Sequence, residues 1–521
     1  MKARTLSLVI GVLALAGMAI AETETANPYD SALTPTPLSD IDQLVLARLH
    51  KLGIQPAKTC SDAVFVRRVY LDVIGTLPTA EETGAFLQEK SIQKRRELIE
   101  RLLARDEFAD YWAMKWSDVL RVKAEFPINL WPNAVQAYHR WIRTSIAENK
   151  PYDRFARELL TASGSNFRVP PVNFYRAMQK KDPEGIAHTV ALTFMGARAE
   201  KWPDDRRQGM AAFFSQLGHK STAEWKEEII FFDSALPATG TPKYPDGTVA
   251  KLTAERDPRE VFADWLISPR NPWFTANIAN RVWSWLLGRG LVEEVDDLRA
   301  DNPARNPELL RYLQAELIGA HFDLKHLYRL ILNSRTYQLS SVPRSTHPDA
   351  EANFAFYATR RLEAEVLIDA LNQLSGTTEK YSSPIPEPFT FIPEDQRAIA
   401  LADGSITSSF LELFGRSSRD TGIAGERNSR ITPAQRLHLL NSSHVQKKIE
   451  QGPKMQALLR SKDSPQERIT ALYLAILSRY PTEEELKVVE NYTPSESGAS
   501  AGNAADVAWA LINSDEFLHR H

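Results

Sequence analysis

Residues 271–341 hold the densest set of side chains able to do chemistry. Asn277, Asn280, Arg281 and Trp283 come first, a Gly288-Arg289-Gly290 turn follows, and then the acidic pair Asp296-Asp297. Two carboxyls can cleave glycosides when one is held protonated and the other ionised. Adjacent residues point in different directions, however, and two working carboxyls usually come from separate elements. An N-cap together with a salt bridge to Arg289 or Arg299 is the plainer use of Asp296 and Asp297. Asn277, Asn280 and Arg281 would anchor a ligand if their face is open. Trp283, with Trp112, Trp116, Trp131, Trp141, Trp273 and Trp285, could offer flat apolar faces to sugar rings, although Trp at helical spacing also builds cores.

Three further places could carry a ligand. Asp72 sits among apolar neighbours with Arg67 and Arg68 about one turn back, which predicts a buried ion pair if it is not a site. Asp118 and Arg121, three apart beside Trp116, could line a cleft or form a surface pair. The stretch FGRSSRDTGIAGERNSR places Arg416, Arg419, Glu426 and Asn428 in one Gly/Arg loop, suited to a carboxylate or sulfate and otherwise a solvated loop. Metal ligands are not grouped. The eleven His are scattered, and His321 and His326 fall off a common helical face. HExxH, a P-loop, a Gly-x-Gly-x-x-Gly after a strand and a Gly-x-Ser-x-Gly elbow are all absent, so no metal site and no cofactor is expected.

The elements that must position these residues read as helices. In LSDIDQLVLARLHKLG, Ser39 opens a helix whose Ile41, Leu44, Val45 and Leu49 share one face. Residues 65–74 make another, ended by Gly75. Thr79-x-x-Glu82 and Thr482-x-x-Glu485 are capping boxes. Thr432-Pro433 and Asp257-Pro258 start helices with Pro in the first turn. Strand signals are confined to residues 229–232 and 389–392. YLDVIGTLPTAEE and YLAILSRYPTEEE (from Tyr70 and Tyr473) match at Tyr, Leu, Pro, Thr and both final Glu. The segments after them end alike, in LLARDEF and LINSDEF, and a central block ends in LILNSRTY. The distance is 30 residues from Pro78 to Phe108 and from Pro307 to Tyr337, and 36 from Pro481 to Phe517, where PSESGASAGNAA supplies the excess. Up to three copies of a three-helix unit are inferred. Softer stretches at 163–181, 236–247 and 376–393 mark loops or boundaries.

At 521 residues, with 43% hydrophobic and 25% charged side chains, the chain has room for two or three globular domains. The formal charge is -3 and no basic run stands out, which argues against nucleic acid. Lys2 and Arg4 precede an apolar run at 6–20, and Ala19-Ile20-Ala21 fits a signal-peptidase site, so a leader cut after Ala21 and a periplasmic or secreted product are expected. Losing those two cations takes the charge from -3 to -5. No later stretch approaches the roughly 18 apolar residues of a membrane span. The single cysteine, Cys60, precludes an internal disulfide and reads as an inert, partly buried thiol.

The long motifs RRVYLDVIGTLPTAEE, DYWAMKWSDVLRV, GMAAFF, RNPWFTANIANRVWSWLLGRGLVEEVDDLR, LYRLILNSRTYQLSS and NSRITPAQRLHLLNS carry a resemblance over most of residues 38–521. The chain resembles exported planctomycete- and verrucomicrobial-type proteins with paired domains of unknown function 1549 and 1553. Many relatives carry a Cys-x-x-Cys-His before the GMAAFF-like run. Here the place reads FMGARAEKWPDDRRQGMAAFF, and the separate cytochrome domain of some relatives is also lacking, which weakens an electron-transfer reading. The resemblance implies export and a link to polysaccharide use, and supplies no catalytic residue.

A mainly α, multi-helical fold of two domains is expected: a leader at 1–21, a linker at 22–37, an N-terminal helical domain at 38–235, a linker at 236–249 and a C-terminal helical domain at 250–521. The leading function is a binding or scaffolding component tied to polysaccharide use, partnered by a polysaccharide or an exported protein. A glycan-active hydrolase with carboxylates from separate helices is the alternative.

Overall fold

The computed structural model describes residues 27–31, 36–253, 255–491 and 500–521. The expected leader and its cleavage site lie outside the described residues, as do most of the 22–37 linker and most of the Gly/Ser/Ala-rich insert. Helix makes up 52% and strand 5% of the structure, so the fold is mainly α. No described helix is long and apolar enough to cross a membrane.

Local sequence explains the helices. Asp106–Val119 buries Phe108, Trp112 and Trp116, spaced four apart, while Asp106 and Glu107 in its first turn complement the helix dipole. It packs along Pro132–Ala147, which buries Val135, Tyr138 and Ile142. Phe274–Leu287 is buried nearly all round and ends at Gly288, whose φ of 81° closes the helix. Its neighbours Pro307–Gly319 and Leu324–Leu332 are capped by Asn306 and Asp323. One hydrophobic core runs from Ile41 to Phe517 without a break, so residues 38–235 and 250–521 share it.

Strands are few. β1 (Gly164–Ser165), β2 (Leu217–Ser221) and β3 (Glu228–Phe232) form an antiparallel sheet in the order β1-β3-β2, with Leu217 opposite Phe232. β3 meets the expectation for 229–232. Residues 389–392 form no strand: Pro386, Pro388 and Pro393 surround them and break any ladder. β4 (Arg360–Arg361) pairs with β5 (His519–Arg520), tying the last residues to the middle of the chain.

The first and last copies of the repeat match in detail. Gly75 and Ser478 occupy the same place after their helices, at φ 61° and 59°. Gly75 is required twice over, since a Cβ there would lie 2.4 Å from the Tyr111 ring. Thr79 with Glu82, and Thr482 with Glu485, close the two capping boxes. In each copy an arginine lies over the repeat tyrosine and bonds two glutamates: Arg105 with Glu82 and Glu107 over Tyr70, and Arg479 with Glu485 and Glu516 over Tyr473. In the central block only the closing turn recurs: Ser334 accepts from Tyr337 N as Ser514 does from Phe517 N.

Candidate functional site

One face of Phe274–Leu287 presents Arg281, Ser284 and Trp285, three and four residues apart. Around them stand Lys115 and Asp118 from the end of Asp106–Val119, Arg360, Arg361 and Glu363 from β4 and the turn after it, and Arg427 and Asn428 from the loop 414–430. Together these segments enclose a cavity of about 230 Å³. Trp285 forms part of the wall and packs behind on Trp112 and Trp116, with ring centres 5.4 and 5.8 Å away.

The cavity is electrostatically lopsided. Five cations line it (Lys115, Arg281, Arg360, Arg361, Arg427) against two carboxylates, Asp118 and Glu363. Their partners behind the wall balance one another: Asp72, Asp296 and Glu365 against Arg416, Arg419 and Arg520. Eight cations to five anions leaves an excess of three positive charges.

Every carboxylate here is engaged. Arg427 gives Nε to Asp118 at 2.6 Å and its two terminal nitrogens to Glu365 at 2.7 and 3.0 Å, a bidentate pair. Arg419 Nε donates to the other Asp118 oxygen at 3.0 Å. Glu363 takes hydrogen bonds from Lys115 and from Arg520 Nη1. Burial works to raise the Glu363 carboxyl, but Arg520, Lys115 and Arg427 outweigh it and hold it well below its usual range. Glu365 is likewise pulled down to about 2 against burial, chiefly by Arg427. Burial, with Arg419 beside it, lowers the Arg416 guanidinium to about 10. The Lys115 ammonium is pushed down by burial, and Arg427 and Arg520 add to this against the pull of Glu363.

Donors are left over. Arg281 is 1% exposed and gives Nη2 to Asp296 at 2.8 Å, while its Nε and Nη1 meet no acceptor. Among the described residues it is the one arginine with two such nitrogens. Arg361 binds the carbonyls of Phe414 and Asn428 through Nη2, and its Nη1 is also unmet.

Of the residues singled out from the sequence, Arg281, Trp285, Asp118 and Asn428 line this cavity. Asp296 supports it, pairing Arg281 and accepting from Ala424 N at 2.6 Å. Asp297 pairs with Arg299 at 3.1 Å, so the two neighbours face different partners and form no acid–base pair. Asn277 and Asn280 are wholly buried and present no open face: Asn277 donates to Thr193 O, and Asn280 exchanges bonds with the Val292 main chain. Trp283 is buried edge-on to Phe354 and presents no open face. Arg289 lies outside with Glu293 and Glu351. Arg416 and Arg419 stand behind the wall, and Glu426 organises its loop by accepting from Asp420 N and Thr421 N.

Two expected pairings differ. Asp72 is paired not by Arg67 or Arg68 but by Arg360 at 2.7 Å and Arg520 at 3.4 Å, with Tyr337 and Tyr357 hydroxyls donating as well. Arg121 does not meet Asp118: at φ 57° it turns away, donates to Ala177 O and lies over Phe174. Within FMGARAEKWPDDRRQGMAAFF, Arg206 stacks 3.9 Å above Trp202. Lys115, Ser284, Arg360, Arg361 and Glu363 were not foreseen. For Arg360, Arg361 and Glu363 the signal was the charge-dense TRRLEAE leading into an apolar helix.

Residues 40–211 match the family PSCyt2, described as a protein of unknown function (DUF1549), and residues 258–493 match PSD1, a protein of unknown function (DUF1553). The chain belongs to the proteins that pair these two domains, and no other family is found on it. Neither a curated protein nor a solved structure matches it. The cavity draws Lys115, Asp118 and Val119 from the first matched region and its remaining wall from the second.

Proposed function

We propose that this protein is an exported binding component, tied to polysaccharide use, that holds its ligand in the cavity beside Arg281 without turning it over. The observation that carries this reading is the state of the two carboxylates in the wall. Glycoside hydrolysis needs one carboxylic acid that keeps its proton near neutral pH. Asp118 is clasped by two guanidinium groups, and Glu363 is held ionised by Lys115 and Arg520. The carboxyl that burial does raise, Asp369 at about 6, accepts from the Ala398 and Ile399 amides and does not line the cavity. An arginine-rich wall beside one Trp face suits holding a ligand. The apolar run after Lys2 and Arg4 supports export, and the family resemblance supports the polysaccharide link.

The purified chain would be melted with neutral, acidic and sulfated glycans while the same mixtures are assayed for new reducing ends. Saturation at a hundred times the dissociation constant adds roughly 2.7 kcal/mol, so one glycan class should raise the melting temperature with no reducing ends released. Release of reducing ends would establish the hydrolase alternative. No shift across the panel would sink the sugar reading.

A further inference from the structure

We infer that the cavity is an oxyanion site, taking one sulfate, phosphate or carboxylate group of its ligand between Arg281 and Arg361. This rests on the reading of the cavity as the ligand site and names the chemistry it selects. Three observations carry it. The cluster has three cations more than it has anions, enclosed where water cannot screen them well. Lys115 and Arg361 in the wall and Arg416 behind it are destabilised as cations, first by burial, whereas Arg360, Arg427 and Arg520 are stabilised by their anions, so negative charge brought beside Lys115 and Arg361 relieves a local strain. Finally, Arg281 holds two unmet N–H donors and Arg361 one, and an unmet buried donor is costly.

The arrangement also explains why the wall does not satisfy itself. Asp296 fixes one edge of the Arg281 guanidinium and is itself held by Ala424 N, so Arg281 cannot swing to Asp118 or Glu363 without giving up a buried ion pair. Arg361 is pinned by three carbonyls of the loop 414–430. The unmet nitrogens lie covered by neighbouring atoms, so an oxyanion in the cavity meets Arg281 and Arg361 first as charges, with their anchored guanidinium planes staying in place. Ser284 Oγ and Trp285 stand on the same helix face, placing a hydroxyl and an apolar ring beside the charged group. At about 230 Å³ the cavity is smaller than the roughly 300–1,000 Å³ of pockets for drug-sized ligands. It therefore receives one charged group and its immediate carrier, while the rest of a polymer would stay outside.

The test is calorimetric titration of the full chain with sodium sulfate, inorganic phosphate, glucuronate and glucose, with chloride holding ionic strength constant. At least one of the three oxyanions should bind with one site per chain, the dianions more tightly than glucuronate, which separates the tetrahedral from the planar source. Ser284→Phe fills the cavity without touching an ion pair and should weaken that binding at least about tenfold, or 1.4 kcal/mol. Arg281→Gln should do the same. If that variant fails to fold because Asp296 loses its partner, Ser284→Phe decides alone. The inference is overturned if no oxyanion binds beyond the chloride control, or if one binds equally well to Ser284→Phe and so sits elsewhere. Glucose binding that Ser284→Phe abolishes, with no oxyanion binding, would also overturn it while leaving the binding reading intact.

Discussion

Two groups of buried arginine in this molecule are used in opposite ways. Arg67 and Arg68, side by side in Asp62–Val73, spend two of their three nitrogens each on main-chain oxygens. Arg67 binds Ile476 and Phe517, both at 2.8 Å, and Arg68 binds His521, Tyr337 and Leu339 at 2.6 to 2.8 Å while lying 3.8 Å from the Tyr357 ring. They tie the closing turns of the last copy and the central block to the first copy of the repeat. Around the cavity Arg281, Arg360 and Arg427 instead pair with carboxylates, the cations outnumber the anions, and Arg281 leaves two nitrogens unmet where Arg67, Arg68 and the carbonyl-bound Arg361 leave one each. A guanidinium that ends on carbonyls staples segments together. One that ends short of acceptors beside a void is prepared for a ligand.

The largest expected effect would sharpen this division. Arg68→Met leaves three buried oxygens without their donor. Since an unmet buried acceptor costs about 1–3 kcal/mol, the variant should lose about 3–5 kcal/mol of stability in denaturant titration. Any rise in melting temperature caused by an oxyanion should persist undiminished in it. Loss of that rise in a folded Arg68→Met protein would break the separation between the two groups.

A smaller and opposite effect is expected at the cavity. Asp118→Asn removes the charge that Arg419 and Arg427 share and increases the positive excess. Stability should fall by about 1–3 kcal/mol, as for a hydrogen-bonded charge removed from a partly exposed site. Anion affinity should rise about fivefold, since removing a wall carboxylate lifts its repulsion of an anion through a partly screening medium. Affinity that falls instead would show Asp118 to be a ligand contact, in favour of a neutral sugar.

How much of this could be read from the sequence follows from the range of the interactions. Capping boxes are local, so Thr79, Thr432 and Thr482 were legible. Helical faces such as Ile41, Val45 and Leu49 were legible for the same reason. β4 and β5 are two residues each and lie more than 150 apart, too short and too distant for any alternating pattern to announce them. The cavity is more remote still: Lys115 meets Glu363 across 248 positions, and Asp118 meets Arg427 across 309. Arg281 was visible as a cation in an apolar helix. Asn277 and Asn280 looked the same, because a sequence shows that a buried residue is polar without showing whether its partner is a backbone carbonyl or a ligand.

Each arginine group also keeps one histidine neutral, and pH is the gentlest way to compare them. His139 is buried and lowered to about 3, first by burial and then by Arg419 and Arg143, close to the cavity group. His521 is lowered to about 4, by burial and then by Arg67, with Arg68 adding to it. A histidine depressed in the folded state takes up its proton in the unfolded chain first, so folding stability falls as pH drops below about 6.5 and goes on falling until the folded pKa is reached. From pH 7 to 5.5 each histidine should cost about 1 kcal/mol. Asp369, raised to about 6 by burial, works the other way between roughly 3.8 and 6, because the folded state holds that proton longer, and it offsets part of the loss. Denaturant midpoints measured at pH 7 and 5.5 should therefore fall, and His139→Gln and His521→Gln should each remove a share of the fall. A saturating oxyanion adds negative charge on the cavity side alone. It should ease protonation of His139, reduce that residue's share of the fall, and leave the share of His521 unchanged. Equal relief of both would mean that the anion is not acting from the cavity.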